Sequence, residues 1–146
     1  MIAHLIALVL LALTAADPAA PAPAASDANA AIHTLEAADL HNVLRYGEGV
    51  LGGSAPSIDA HFDALAAAGV KTIVTVDGAR PMVEAAASRG IRYIHIPTAY
   101  AGVSKSEALQ LAKALRDAPR PIYVHCHHGK HRGPAAAALA LVQLGE

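Results

Sequence analysis

The chain contains one cysteine, and it lies six positions before an arginine. Cys126 follows an apolar segment at 122–124, and Arg132 precedes an alanine-rich segment at 134–144. A loop that joins a strand to a helix N-terminus can point several backbone N–H groups at one anion, and the helix dipole favours negative charge there. A phosphate group fits such a loop, and Arg132 can bind it as a planar, bidentate and permanently charged donor.

The residues between the cysteine and the arginine make the loop strongly basic. The same positive field favours the thiolate form of Cys126, which is the nucleophilic form. The loop amides are expected to bind phosphate, and they belong to His127, His128, Gly129, Lys130, His131 and Arg132. A structural cysteine beside a helix cap would not explain so many basic residues. We therefore predict that phosphate binding and nucleophilic attack share this loop.

The segment HCHHGKHR at 125–132 resembles the His-Cys, five residues, Arg signature of the cysteine-dependent tyrosine and dual-specificity phosphatases. Segments at 52–56, 69–74 and 93–97 are similar to successive segments of the compact dual-specificity-like members, so the resemblance covers roughly residues 41–142.

The resemblance implies phosphomonoester hydrolysis that needs no metal and no cofactor. Cys126 would attack phosphorus, form a phosphocysteine and be released by water. Arg132 and the amides of 127–132 would stabilise the transition state, and His125 would support the thiolate through hydrogen bonds.

Two positions depart from the family pattern. Gly133 stands where the family usually has Ser or Thr, whose hydroxyl stabilises the departing thiolate, so turnover is expected to be slower. The general acid should be an aspartate after Pro97, but residues 98–102 contain no carboxylate. Asp77, which follows the segment 72–76, is the nearest substitute. An Asp-Gly pair is also typical of a turn, and that reading of Asp77 is favoured.

Three functions stay open at this stage. The first is the phosphatase, acting on a phosphorylated protein or a small phosphoester. The second is a pseudophosphatase that binds phosphate with little turnover, and the third is a rhodanese-type sulfurtransferase. Lys130 is compatible with a multiply charged substrate or with a solvated side chain. A metal site at the loop histidines is disfavoured, because side chains that radiate from the loop cannot readily chelate one ion.

The overall charge gives no sign of a nucleic-acid partner. The chain has 146 residues, with 11 Lys and Arg against 12 Asp and Glu. Residues 1–16 are predicted to be a signal peptide and 17–32 an Ala/Pro-rich linker, so we expect an exported, periplasmic or secreted domain without stable membrane insertion after cleavage. An uncleaved N-terminal anchor is the alternative.

Residues 33–146 are predicted to form one phosphatase-like α/β domain. Truncation of this domain at its C-terminus is left open. A hairpin at 42–51 precedes strands at 70–76, 91–96 and 122–125, with helices at 56–68, 81–89, from 104, and 134–144. Ile58, Phe62 and Leu65 should form the buried face of the first of these helices. The alternation predicts a mostly parallel twisted sheet with helices on both faces, and the signature loop between the last strand and the following helix.

Overall fold

A computed structural model describes residues 25–146 of the chain. The elements in chain order are α1 (Ala25–Ala37), β1 (Leu44–Gly47), β2 (Val50–Gly53), α2 (Asp59–Ala67), β3 (Thr72–Thr75), α3 (Val83–Ala87), β4 (Arg92–His95), α4 (Lys105–Asp117), β5 (Ile122–His125) and α5 (Arg132–Leu144). The predicted signal peptide at 1–16 lies outside the described residues, as does the linker up to residue 24.

The five strands form one sheet in the order β1-β2-β5-β3-β4. β2, β5, β3 and β4 are parallel, and β1 pairs antiparallel with β2 through the predicted hairpin. The last strand in the sequence is therefore the central strand of the sheet. The predicted α/β fold with a mostly parallel sheet is confirmed.

Each face of the sheet has its own apolar core, because successive residues of a strand point to opposite faces. On one face, Val74, Ile122 and Val124 pack with α4 and α5. On the other, Ile73 and Tyr123 pack with α1 and α2. The helices thus cover both faces, and the central strand β5 is fully buried.

Helix α4 shows how local sequence sets the boundaries of an element. The Ser104 hydroxyl accepts a hydrogen bond from the Glu107 amide, and the Glu107 carboxylate accepts one from the Ser104 amide, which completes a capping box. Ala108, Leu111, Ala112 and Leu115 are buried, as their helical spacing predicts.

The structure corrects the predicted linker. Residues 25–32 belong to helix α1, whose Leu35 is completely buried in the core that α1 shares with α2. The prolines of this region end at Pro23, and the alanine-rich segment that follows has high helix propensity. The prediction averaged the composition over residues 17–32 and therefore did not separate the proline-containing part from the alanine-rich part that forms a helix.

Three helix boundaries also differ from the prediction. α2 begins at Asp59, so Ile58 is its N-cap residue and is 54% exposed instead of buried. α3 is shorter than predicted, and α5 begins at Arg132. Within residues 25–146, no helix combines the length and the apolar character needed to cross a membrane.

Candidate active site

The signature loop begins where the central strand ends. β5 finishes at His125, which pairs with Gly53 of β2 on one side and with Thr75 of β3 on the other. Ligands of open parallel sheets bind at this carboxyl edge. Cys126 is buried there, flanked by the residues that follow β2 and β3.

Gly129, at the centre of the loop, must be a glycine because the backbone of Gly53 lies against it. Gly129 has a φ of +73°, and a Cβ on it would lie 2.3 Å from the carbonyl carbon of Gly53. That conformation favours glycine, and that distance leaves no room for any side chain. The end of β2 therefore presses directly on the loop. Gly52 and Gly53 are themselves required by other neighbours, because a Cβ at Gly52 would collide with the Tyr46 ring and one at Gly53 with the Tyr123 hydroxyl.

Two hydrogen bonds hold the loop from the same side. The Ala55 amide donates to the His127 carbonyl at 3.0 Å, and the Asn42 side-chain amide donates to the His128 carbonyl at 2.8 Å. In a trans peptide the C=O and the next N–H point in opposite directions. The N–H groups of His128 and Gly129 consequently point away from this supporting segment.

The loop amides are left without protein acceptors. Within the described part of the chain, none of the backbone N–H groups of residues 127–132 donates a hydrogen bond to another protein group, and the N-cap of α5 has no side-chain hydrogen bond. Unpaired amides at a helix N-terminus form an anion-binding site, since backbone donors in folded proteins are otherwise nearly always paired.

Arg132 is the first residue of α5, and its guanidinium is held from several sides. One terminal nitrogen lies 3.0 Å from the Asp77 carboxylate and donates to the Tyr100 hydroxyl at 3.1 Å. The guanidinium carbon is 4.1 Å from the centre of the Tyr100 ring. The side chains of Arg132 and Asp77 are only 11% and 13% exposed, so this ion pair is largely shielded from water.

Asp77 is ionised in this arrangement. Burial acts to raise its pKa, but the hydrogen bond and charge of Arg132, together with the amides of Gly78 and Ala79, outweigh burial and lower the pKa of the carboxyl. A general acid must carry a proton before the reaction. The turn role favoured in the sequence analysis fits, because the carboxylate also accepts a hydrogen bond from the Gly78 amide.

His125 is uncharged at neutral pH. Burial lowers the pKa of its imidazole to about 4, and its Nε2 lies 2.7 Å from the Tyr93 hydroxyl. Tyr93 keeps its proton, because burial raises the pKa of this phenol. His125 therefore brings no positive charge to Cys126, and its contact with Tyr93 fixes the end of β5.

Gly133 lies against the nucleophile. A Cβ on this glycine would be 3.5 Å from the Cys126 sulfur and 3.3 Å from the Cys126 amide nitrogen. The hydroxyl that the family usually carries here would thus lie beside the sulfur, and this chain lacks it.

The structure brings together most of the residues that the sequence singled out, and it adds others. One small cavity is lined by Tyr100 together with Cys126, His127, His128, Lys130, His131 and Arg132. Tyr100 occupies the loop in which a carboxylate acid was expected, and that position is the only signal that pointed to it. No sequence signal identified Tyr93 or Asn42 as residues of the site. Among residues 25–146, no group of three or more His, Cys, Asp or Glu side chains could hold a metal ion.

A mostly parallel sheet with a Cys-to-Arg anion loop after its central strand defines the dual-specificity-like class of cysteine phosphatases. Residues 47–146 match the family described as the Swiss Army Knife protein, DSP-PTPase phosphatase domain. The chain belongs to this family. A search of curated proteins found no match.

Solved structures of phosphatases share the fold. A DUF442 protein from Shewanella putrefaciens CN-32, described as a candidate phosphatase, superimposes with a TM-score of 0.66 at 20% identity over 78% of each chain. The kinase-associated phosphatase with its catalytic cysteine replaced by serine gives 0.59 at 18% identity over 65% of each chain. The core catalytic domain of the PP-IP phosphatase SIW14 from S. cerevisiae gives 0.53 at 21% identity over 64% of this chain and 60% of that one. At these identities the similarity concerns the fold.

Proposed function

We propose that this chain hydrolyses phosphomonoesters without a metal ion, through a phosphocysteine on Cys126. The observation that supports this most strongly is the set of acceptor-free amides at 127–132, which directly follows the cysteine and leads into the helix that begins with Arg132. Donors fixed in advance around an anion stabilise the charge of the transition state without reorganisation.

In the first step the Cys126 thiolate attacks phosphorus, a P–S bond forms, and the P–O bond to the alcohol or phenol breaks. The loop amides and Arg132 bind the three equatorial oxygens throughout. In the second step water attacks phosphorus, the P–S bond breaks, and orthophosphate and the thiolate are released. Gly133 offers no hydroxyl to the departing sulfur, so we propose that the second step limits turnover.

We propose that Asp77 positions Arg132 and is not the general acid. Its carboxylate is ionised by the arginine and hydrogen-bonded to the Gly78 amide. Without a protonated carboxyl, leaving groups that are stable as anions depart more readily. Aryl phosphates, including phosphotyrosine, should therefore be better substrates than alkyl phosphates such as phosphoserine. We also propose export of the domain, on the apolar residues 2–13 and the small residues 14–16 of the sequence.

The test is hydrolysis of phenyl phosphate and of an alkyl phosphate under reducing conditions. Cys126→Ser should abolish both activities. Asp77→Asn should lower kcat/KM for both substrates by the same factor, about tenfold, because it disturbs the orientation of Arg132. A selective loss of about 10²–10⁴ on the alkyl phosphate would instead identify Asp77 as the general acid. Activity that survives Cys126→Ser would contradict the proposal.

A phosphate-binding protein with little turnover is the second candidate, and the observation that favours it is the missing hydroxyl at Gly133 beside the sulfur. Stoichiometric phosphocysteine without further release of phosphate would support this candidate over the enzyme.

A further inference from the structure

A large cleft lies directly beside the signature loop. Its volume is about 670 Å³, and His41, His61, His127, His128 and Lys130 are among the residues that line it. Clefts that bind small molecules usually have volumes of about 300–1,000 Å³. The size therefore suits a ligand larger than one phosphate group.

The cleft continues from the cavity over the nucleophile. His127, His128 and Lys130 line the cleft and also the small cavity that contains Cys126. A molecule whose reacting phosphate lies on the loop amides can reach the cleft by extending over these three residues.

The floor of the cleft presents a fixed hydrogen-bond donor. His61 is 7% exposed, and its Nδ1 accepts a hydrogen bond from the Ser57 amide at 3.0 Å. In a neutral imidazole this places the proton on Nε2, which is then a donor. Within residues 25–146 no protein group accepts a hydrogen bond from the His61 Nε2, and this nitrogen is not among the fully buried atoms without a partner, so it is open to solvent on the side of the cleft. A donor that opens into the cleft and has no protein acceptor is available to a ligand there.

The lining of the cleft contains one cationic and one anionic side chain, Lys130 and Asp39. Lys130 is exposed and contributes an ammonium group. Asp39 is the carboxylate in the lining, and it is highly exposed and lies 3.6 Å from the His41 ring. Both charges are exposed and screened by water, so recognition of an anion in the cleft depends on direct contacts with Lys130 and His61 rather than on a net field.

We propose that this cleft binds a second phosphate group of the substrate, and that the preferred substrates are small phosphoesters with two or more phosphates. The inference rests on the proposed phosphatase function and adds the substrate class. The second phosphate accepts the hydrogen bond of His61 and pairs with Lys130, while the first is attacked by Cys126. A phosphotyrosine with neutral neighbours would leave both donors unused.

The test compares kcat/KM for benzene-1,3-diyl bisphosphate with that for phenyl phosphate. Two equivalent phosphates alone give a statistical ratio of about 2, and we expect at least about 10, where a factor of ten corresponds to about 1.4 kcal/mol. His61→Gln and Lys130→Gln should each lower the ratio at least about threefold. His33→Gln, at an exposed histidine of α1 outside the cleft, should leave the ratio at the value of the unmodified chain.

Two outcomes would overturn the inference: a ratio near 2 in the unmodified chain, or a high ratio that both cleft variants retain. Lys130 is exposed, so its variant remains informative if His61→Gln fails to fold. If neither compound is hydrolysed, the proposed phosphatase function is contradicted, and this result is independent of the inference about the cleft. The dissociation constants of the two compounds for Cys126→Ser, measured by calorimetry, then give the same ratio and test the cleft separately.

Discussion

Two ionisable side chains next to Cys126 have their pKa values displaced downward, for opposite reasons. Asp77 is held ionised by Arg132 and two amides, and His125 is held neutral by burial. Positive charge at the loop therefore comes from Arg132, from Lys130 and from the helix N-terminus. A single neutral imidazole behind the nucleophile also makes the stability of the fold depend on pH.

At the residue scale, His125 should make the domain less stable in mild acid. Its folded pKa is about 4, below the ordinary value of about 6.5, so the unfolded chain binds more protons between these values. Stability should fall as the pH decreases through this window, by at most about 3 kcal/mol. His125→Gln should remove this part of the pH dependence, which urea unfolding at several pH values measures. The exposed control His33→Gln should keep it, and equal slopes for all three proteins would refute the assignment.

A second prediction at this scale concerns Gly133. Gly133→Ser places a hydroxyl beside the Cys126 sulfur and should raise kcat for an aryl phosphate about tenfold, a change of about 1.4 kcal/mol, while the rate of the initial burst stays the same. Gly133→Ala adds the same Cβ without a hydroxyl and controls for the tight contact with the Cys126 amide. Equal effects of both variants would show that the hydroxyl has no role.

At the scale of elements, the end of β2 shapes the loop from outside. Gly129→Ala should reduce kcat/KM at least about 10²-fold, because the new Cβ would collide with Gly53 and displace the amides from their positions. Gly90 also has a positive φ, but a Cβ there meets nothing within 4 Å. Gly90→Ala therefore controls for backbone strain and should cost about 1 kcal/mol of stability with unchanged activity. Similar activity losses in both variants would contradict this role of β2.

The sequence predicted the strands and helices well where periodicity and turn residues agree. The four parallel strands and the capping box of α4 were found in this way. Helix α1 was missed because an alanine-rich composition is compatible with both a linker and a helix. The burial of Leu35 stabilises the helix, and this tertiary contact is not visible in the local sequence. Ile58 was misplaced because α2 begins three residues later than predicted, which leaves Ile58 at the N-cap, outside the helical face that buries Phe62 and Leu65.

At the scale of the molecule, α1 is part of the folded domain. Leu35 is completely buried against α2, so Leu35→Ala should lower the free energy of unfolding by about 2–5 kcal/mol. Denaturant unfolding measures this change. Leu139→Ala, at a partly exposed position of α5, is the matched control and should cost clearly less. A negligible effect of Leu35→Ala would return residues 25–32 to the status of a linker.

The candidate site was predictable only in its contiguous part. Cys126 to Arg132 form one run of sequence, and their spacing alone predicted a phosphate loop. The partners of the site come from β3, which is adjacent to β5, and from β4, the next strand along the sheet: Asp77 follows β3, and Tyr93 belongs to β4. Sequence separation does not reveal that order, so the ion pair of Arg132 and the neutral state of His125 required the structure.

The central claim is that Cys126 becomes phosphorylated during turnover. The most direct measurement is rapid denaturation of the protein while it hydrolyses an aryl phosphate, followed by mass spectrometry of its peptides. We predict an addition of about 80 Da on the peptide that contains Cys126, at the residue itself, and its absence in Cys126→Ser. Turnover with the added mass on another residue, or without any added mass while Cys126→Ser remains active, would contradict the account.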